Sequence, residues 1–74
     1  MARYLKKSVV VDAVQWFKQG DHPAVLAKSD REAYIDTPEG RLRVDPGDWI
    51  ITGIAGENYP CKPRVFEQLY TPEV

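Results

Sequence analysis

From Tyr4 to Trp16 the chain reads YLKKSVVVDAVQW, rich in β-branched and aromatic residues and free of Gly and Pro, which predicts one long strand. Alternation puts Val10, Asp12, Val14 and Trp16 on one face and Val9, Val11, Ala13 and Gln15 on the other. The unbroken run Val9 to Val11 predicts burial on both faces there, and Asp12 stands out as an acid among apolar neighbours. Gly20-Asp21 then signals a turn, followed by HPAVLAKSD, where Asp21 is placed to cap a short helix starting near Pro23 and anchored by Val25 and Leu26. A helix that short holds only if it packs on the sheet.

The second half punctuates more sharply. AYIDT and RLRV flank Pro38-Glu39-Gly40 and predict a hairpin, with Leu42 and Val44 on one face and Arg41 and Arg43 together on a solvated one. Asp45-Pro46-Gly47-Asp48 is a turn leading into Trp49-Ile50-Ile51, which reads as a buried central strand. A third turn, Ala55-Gly56-Glu57-Asn58, precedes YPCKP, whose two prolines impose an extended path and exclude a central ladder position. Val65, Phe66, Leu69 and Tyr70 recur at helical spacing behind Pro63 and predict a short closing helix. The order β, α, β, β, β, extended, α predicts an α+β domain: a small, strongly twisted antiparallel sheet or partly open barrel with two short helices.

Composition narrows how such a domain holds together. Seventy-four residues, 43% hydrophobic, allow a single domain over 1–74 with one core, and a core of that size rarely supplies more than ~3–5 kcal/mol. Cys61 is the only cysteine, so no internal disulfide is available, and Cys61 with the single His22 is no four-ligand zinc set. No metal and no cofactor are expected, and a homo-oligomer is. Ten basic against eleven acidic residues, a net charge of −1, exclude a protein devoted to coating phosphate backbones. Neither short helix suits a sequence-specific reader of nucleic acid. No apolar run approaches the ~18 residues of a membrane span and MARYLKKS lacks a signal-peptide core, so a cytoplasmic setting with a reduced thiol is expected.

Few residues carry chemistry. Pairing Cys61, Ser8 or Ser29 with His22 is the only nucleophile-and-base arrangement on offer, and no local motif activates any of them. Of the carboxylates Asp45, Asp48 and Glu57, Asp48 suits a turn and Glu57 is the better functional candidate. Gly53 and Gly56 in TGIAGE lack the Lys-Ser/Thr of a phosphate loop and read as hairpin glycines. Arg41 and Arg43, with Lys62 and Arg64, are the best anion-binding candidates because guanidinium forks take carboxylate and phosphate at two points, and Tyr59 and Tyr34 offer faces on which a base stacks. Trp16 and Trp49 are expected in the core, with a subunit interface as the alternative for one of them.

KKSVVVDAVQW at the start and TPEGRLRVDPGDWIITGIAGENYPCKPRVFEQLY at the end resemble a family of short proteins encoded by tailed bacteriophages and prophages. The family pattern runs K-K-P-V-V-V-E-A-V/I-Q-W, then a variable middle, then T-x-E-G-x-x-x-V-x-x-G-D-W/Y-I-I-x-G-x-x-G-E-x-Y-P-C-K-P-D-I-F-E-x-T-Y. Ser8 stands where the pattern has Pro, Asp12 where it has Glu, Arg64 where it has Asp, and Leu69 where it has Thr. Losing the acid at Arg64 removes a helix-start partner and makes that corner more basic. The resemblance implies a phage origin and action in the cytoplasm of the infected host, and carries no catalytic residues with it.

The expected function is therefore that of a non-enzymatic phage accessory protein. It binds a small anionic ligand, such as a nucleotide immune signal, or a host protein, through a ligand-binding set of Arg41, Arg43, Glu57, Tyr59, Lys62 and Arg64, with the pocket completed between subunits. The alternatives are a protein–protein interaction module using the edge beside YPCKP, a minor virion-associated protein, and, ranked last, a small hydrolase using Glu57 or Cys61.

Overall fold

The computed structural model describes residues 2–3, 10–29 and 31–72. They form six strands, β1 (Asp12–Gln15), β2 (Leu26–Ser29), β3 (Glu32–Thr37), β4 (Gly40–Val44), β5 (Trp49–Thr52) and β6 (Asn58–Cys61), followed by one helix, α1 (Pro63–Leu69). The strands make two three-stranded antiparallel sheets, ordered β1-β5-β6 and β2-β3-β4. The domain is thus mostly β with one short helix and no closed barrel, which corrects the expected α+β architecture with two helices on a single sheet or partly open barrel.

The correction is concentrated in residues 17–29. Asp21 does not cap a helix: its carboxylate turns back to accept the backbone N–H of Phe17 (2.9 Å) and Lys18 (3.1 Å), closing a tight turn. His22 holds the next turn, its carbonyl accepting Val25 N–H (3.2 Å) and its Nδ1 accepting Ala24 N–H (3.0 Å). Only a single turn fits before Leu26, and nucleating a helix for so few residues loses to the ladder that β2 gains against β3. In that ladder Val25 and Ala27 pack on the core while Leu26 faces out.

The first strand is also shorter than its pattern. Of the predicted Tyr4–Trp16 strand, residues 4–9 lie outside the described residues, and the paired part begins at Asp12. Burial on both faces does not extend to Val10, which is 70% exposed, and Asp12 among its apolar neighbours is itself exposed. Val10 precedes the first β1–β5 pair, so among the described residues no strand pairs with it.

The hairpin, the central position of β5 and the closing helix stand where the pattern places them. Thr37 pairs with Gly40 across Pro38-Glu39, and Trp49 to Thr52 pair with β1 on one side and β6 on the other. Pro60, without an N–H, sits in the edge strand β6, and Pro63 opens α1, where a missing N–H costs nothing.

The core lies between the sheets. Trp16, Ala33, Ile35, Val44 and Ile50 bury their side chains together, drawn from the end of β1 and from β3, β4 and β5. Leu42, on the same face as Val44, is 41% exposed. The chain changes sheets at Asp45–Asp48, where Gly47 takes φ +98° and Asp48 N–H bonds Asp45 carbonyl (3.0 Å). β1 grips that corner: Trp16 N–H donates to Asp48 carbonyl (2.8 Å), Gly47 N–H to Trp16 carbonyl (2.7 Å), and Gln15 Nε2 to Gly47 carbonyl (3.0 Å). Among the described residues no helix is long and apolar enough to cross a membrane.

Candidate functional site

The hairpin register decides which charges meet. Tyr34 pairs with Arg43 and Asp36 with Arg41, so these four side chains share the outer face of the second sheet, opposite the face that carries Ala33, Ile35 and Val44. On the far side of β3 the pairing of β2 skips one residue, from Ala27–Ala33 to Ser29–Glu32. Lys28 is the extra residue of that bulge, and bulges re-aim side chains. The result is a shallow concavity of about 280 Å³ whose lining includes Lys28, Arg31, Glu32, Tyr34, Arg41 and Arg43.

Both arginines are held by one edge only. Arg41 Nε donates to Asp36 Oδ1 (3.1 Å) while its guanidinium carbon lies 3.8 Å over the centre of the Tyr34 ring. Arg43 Nε donates to Asp45 Oδ1 (2.8 Å). In each case the terminal amino groups of the fork have no partner among the described residues, so the fork is oriented and its strongest two-point donor edge stays open.

The corner beside this face is a relay of charges. Asp45 takes Arg43 on one carboxylate oxygen and Lys62 Nζ on the other (2.8 Å), and Lys62 reaches on to Asp48 Oδ2 (3.0 Å), which also accepts Asp45 N–H (2.9 Å). Lys62 and then Arg43 hold the Asp45 carboxyl below its usual range, and the two carboxylates, Asp45 first, raise the Lys62 ammonium above its own. Asp48 is 2% exposed and is the buried anchor of the relay.

The structure divides the six sequence-derived site residues among four places. Arg41 and Arg43 share the concavity, and Lys62 joins Arg43 through Asp45. Arg64 is exposed on the first turn of α1 with no polar partner among the described residues. Glu57 is exposed in the β5–β6 turn, its carboxylate lying in the space a Cβ on Gly53 would fill, and it lines a different depression with Asp36 and Thr37. Tyr59 is half-buried, its hydroxyl 3.4 Å from that of Tyr70.

The Tyr59 pair bears a pH signature. Hydrogen bonding to Tyr70, then burial, pushes the Tyr59 hydroxyl from 10.0 up to about 12. A group whose folded value is raised contributes stability below its unfolded value and loses it as pH rises through the folded one. The folded state should therefore lose stability between about pH 10 and 12, and Tyr70→Phe should flatten that alkaline limb in denaturant titrations across the range. An unchanged limb would show that the two hydroxyls do not interact.

Among the described residues, which do not include Ser8, no activated nucleophile is assembled. Burial, then the charge of Asp48, raises the Cys61 thiol, which disfavours the thiolate, while the Nδ1 of His22 is engaged by Ala24. Among the described residues no three His, Cys, Asp or Glu side chains converge as metal donors.

A stack of rings forms a further concavity. Phe66 lies 4.1 Å from Trp49 at 6°, and Tyr70 5.1 Å from Phe66 at 20°. These rings wall a groove of about 380 Å³ floored by Val11 and Ala13, with Asp12 at its rim.

Lys28 and Arg31 escape a reading that makes residues 23–29 helical. Tyr34 stands directly opposite Arg43 because the connection is the two residues Pro38-Glu39, one shorter than the Pro38-Glu39-Gly40 turn expected from the sequence. Comparison with known proteins finds no matching family model, no matching curated protein and no matching solved structure.

Proposed function

We propose that this chain is a non-enzymatic binding protein for a small anion of the phosphate or carboxylate class, captured on the outer face of the β2-β3-β4 sheet. The observation that carries the reading is the pair of arginines: each is tethered through Nε to a carboxylate and each keeps its fork open over one concavity that also presents Lys28 and Arg31. The raised thiol of Cys61 speaks for binding rather than turnover at that residue. The resemblance to short phage proteins supplies the setting we propose, the cytoplasm of an infected bacterium, and the shallowness of the concavity supports completion by a second copy of the chain.

The test is native mass spectrometry of the protein before and after incubation with a metabolite extract, reading subunit count and bound mass together. A discrete small-molecule adduct is expected on an oligomer. The double variant Arg41→Ala, Arg43→Ala should lose it, with affinity falling at least ~10-fold, since a charge-assisted hydrogen bond contributes about 1.5–3 kcal/mol. Its melting temperature should barely move, because both ion pairs are exposed, at 61%/58% and 72%/40% for arginine and aspartate. A double variant that keeps the adduct overturns this site.

A second reading, a protein-interaction module, has one observation in its favour: the groove beside β1 is walled by the stacked rings of Trp49, Phe66 and Tyr70. A protein-sized adduct that survives the arginine double variant would move the function there.

A further inference from the structure

We infer that the anion captured on this face is a mononucleotide, its base stacked on the Arg41 guanidinium and its phosphate taken by Arg43, Lys28 and Arg31. The inference rests on the anion-binding reading above and adds to it the chemistry of the ligand's other half.

Arg41 differs from Arg43 in what lies beneath it. Its guanidinium carbon is in van der Waals contact with the Tyr34 ring, 3.8 Å from the centroid, and the Nε bond to Asp36 keeps it from swinging away. One face of this planar cation is therefore covered by an aromatic ring, while the arginine side chain remains 61% exposed. A planar cation seated on a ring is a two-layer platform, and the open face of a guanidinium accepts a nucleobase as an aromatic ring does. An inorganic anion would use only the edge of Arg41 and leave that face in water.

The surrounding charges limit the ligand's size. Four cations line the concavity, yet Glu32 lies among them and Asp36 and Asp45 flank them, so positive potential is confined to one patch instead of running as a stripe. A strand of nucleic acid needs a continuous basic track. A volume of about 280 Å³ likewise suits one nucleotide better than several. Asp36 is then a positioning residue: it holds Arg41 flat for the base and touches no ligand itself.

Calorimetric titration with adenosine 5′-monophosphate and with methyl phosphate, which carries the same charged group without a ring, tests the assignment. The nucleotide should bind about 10-fold tighter, the size of one base stack on a cation–aromatic platform. Arg41→Lys, which keeps the charge and removes the plane, should bring that ratio close to one. Asp36→Ala separates positioning from charge: removing an acid from a basic face would by electrostatics alone tighten the nucleotide, whereas loss of positioning weakens it several-fold, and weakening is the expected result. Equal affinity for the two ligands would overturn the stacked base and leave the anion-binding reading standing. Failure of both to bind would overturn the capture of a phosphate on this face, and with it the nucleotide. A preference for the nucleotide that survives Arg41→Lys, or binding of an eight-residue oligothymidylate without binding of the mononucleotide, would place the base elsewhere and refute the assignment.

Discussion

Trp16→Ala should leave the chain without a cooperative thermal transition. Trp16 is fully buried and packs with Ala33, Ile35, Val44 and Ile50, so just past the end of β1 it contacts both sheets through the core. Truncating a buried Trp costs about 3–5 kcal/mol, which matches the whole of what a core this small supplies. Far-UV circular dichroism against temperature reads the outcome, and a sigmoidal melt within a few degrees of the parent would refute it. Trp16→Phe should behave differently. The indole N–H of Trp16 is buried and has no partner among the described residues, so phenylalanine loses volume and also removes an unsatisfied donor whose burial costs about 1–3 kcal/mol. The two effects oppose each other, and denaturant titration should find Trp16→Phe costing less than half of Trp16→Ala. Equal costs would mean that the N–H is bonded after all, for instance to a buried water.

The second large effect is expected at the corner where the chain changes sheets. Asp48→Ala should cost about 2–4 kcal/mol, because it removes a buried carboxylate that closes the turn on Asp45 N–H and anchors Lys62. The same corner supports Trp16, whose backbone N–H bonds Asp48 carbonyl, so the loss extends into the core. Lys62→Met should cost less, about 1–2 kcal/mol. The lysine side chain is 58% exposed and water can solvate the carboxylate in its place, which discounts the penalty of an unpaired buried charge. A denaturant series that ranks Lys62→Met above Asp48→Ala would show that the ion pair, and not the turn, holds the corner. Acid provides an independent check. The Asp45 carboxyl is held below 3.8 by Lys62 and Arg43, so its contribution is complete above that value and disappears as pH falls through the lower folded value. Asp45→Asn should accordingly flatten the acid limb of stability below about pH 4 while leaving the alkaline limb unaltered.

Local signals and long-range pairing divide the fold between them. The β3–β4 hairpin was legible because turn residues at Pro38-Glu39-Gly40 separate AYIDT from RLRV, whose strict alternation puts Val44 on one face and the arginines on the other, while the register came from the structure, where Gly40 already pairs with Thr37. The edge position of β6 and the start of α1 were legible because Pro60 and Pro63 lack the N–H that any other placement would require. Residues 21–29 misled for the converse reason. Asp21, Pro23, Val25 and Leu26 form a plausible helix start, yet the segment is too short to sustain a helix against the hydrogen bonds and the Ala27 packing that β3 offers from a distance.

The candidate site divides along the same line. Residue chemistry alone singled out Arg41 and Arg43, since a pair of guanidiniums two apart on a strand shares a face whatever the partner strands are. Glu57, Tyr59 and Arg64 are close to Lys62 in sequence but not gathered with the arginines, because β6 and α1 carry them to another turn, under Tyr70 and onto the helix surface.

By itself, the order of residues determined which segments turn, which strand is central, where proline stops pairing and which face of β4 is basic. Each of those depends on neighbours within a few residues, through backbone dihedrals, missing donors and the two-residue period of a strand. Only the tertiary structure decided that the strands divide into two sheets, that Lys28 and Arg31 join the arginines, and that Asp36 and Asp45 hold those arginines by one edge. The physical reason is that β2 is a strand only in the presence of β3, and its bulge, set by that pairing, aims Lys28 into the concavity.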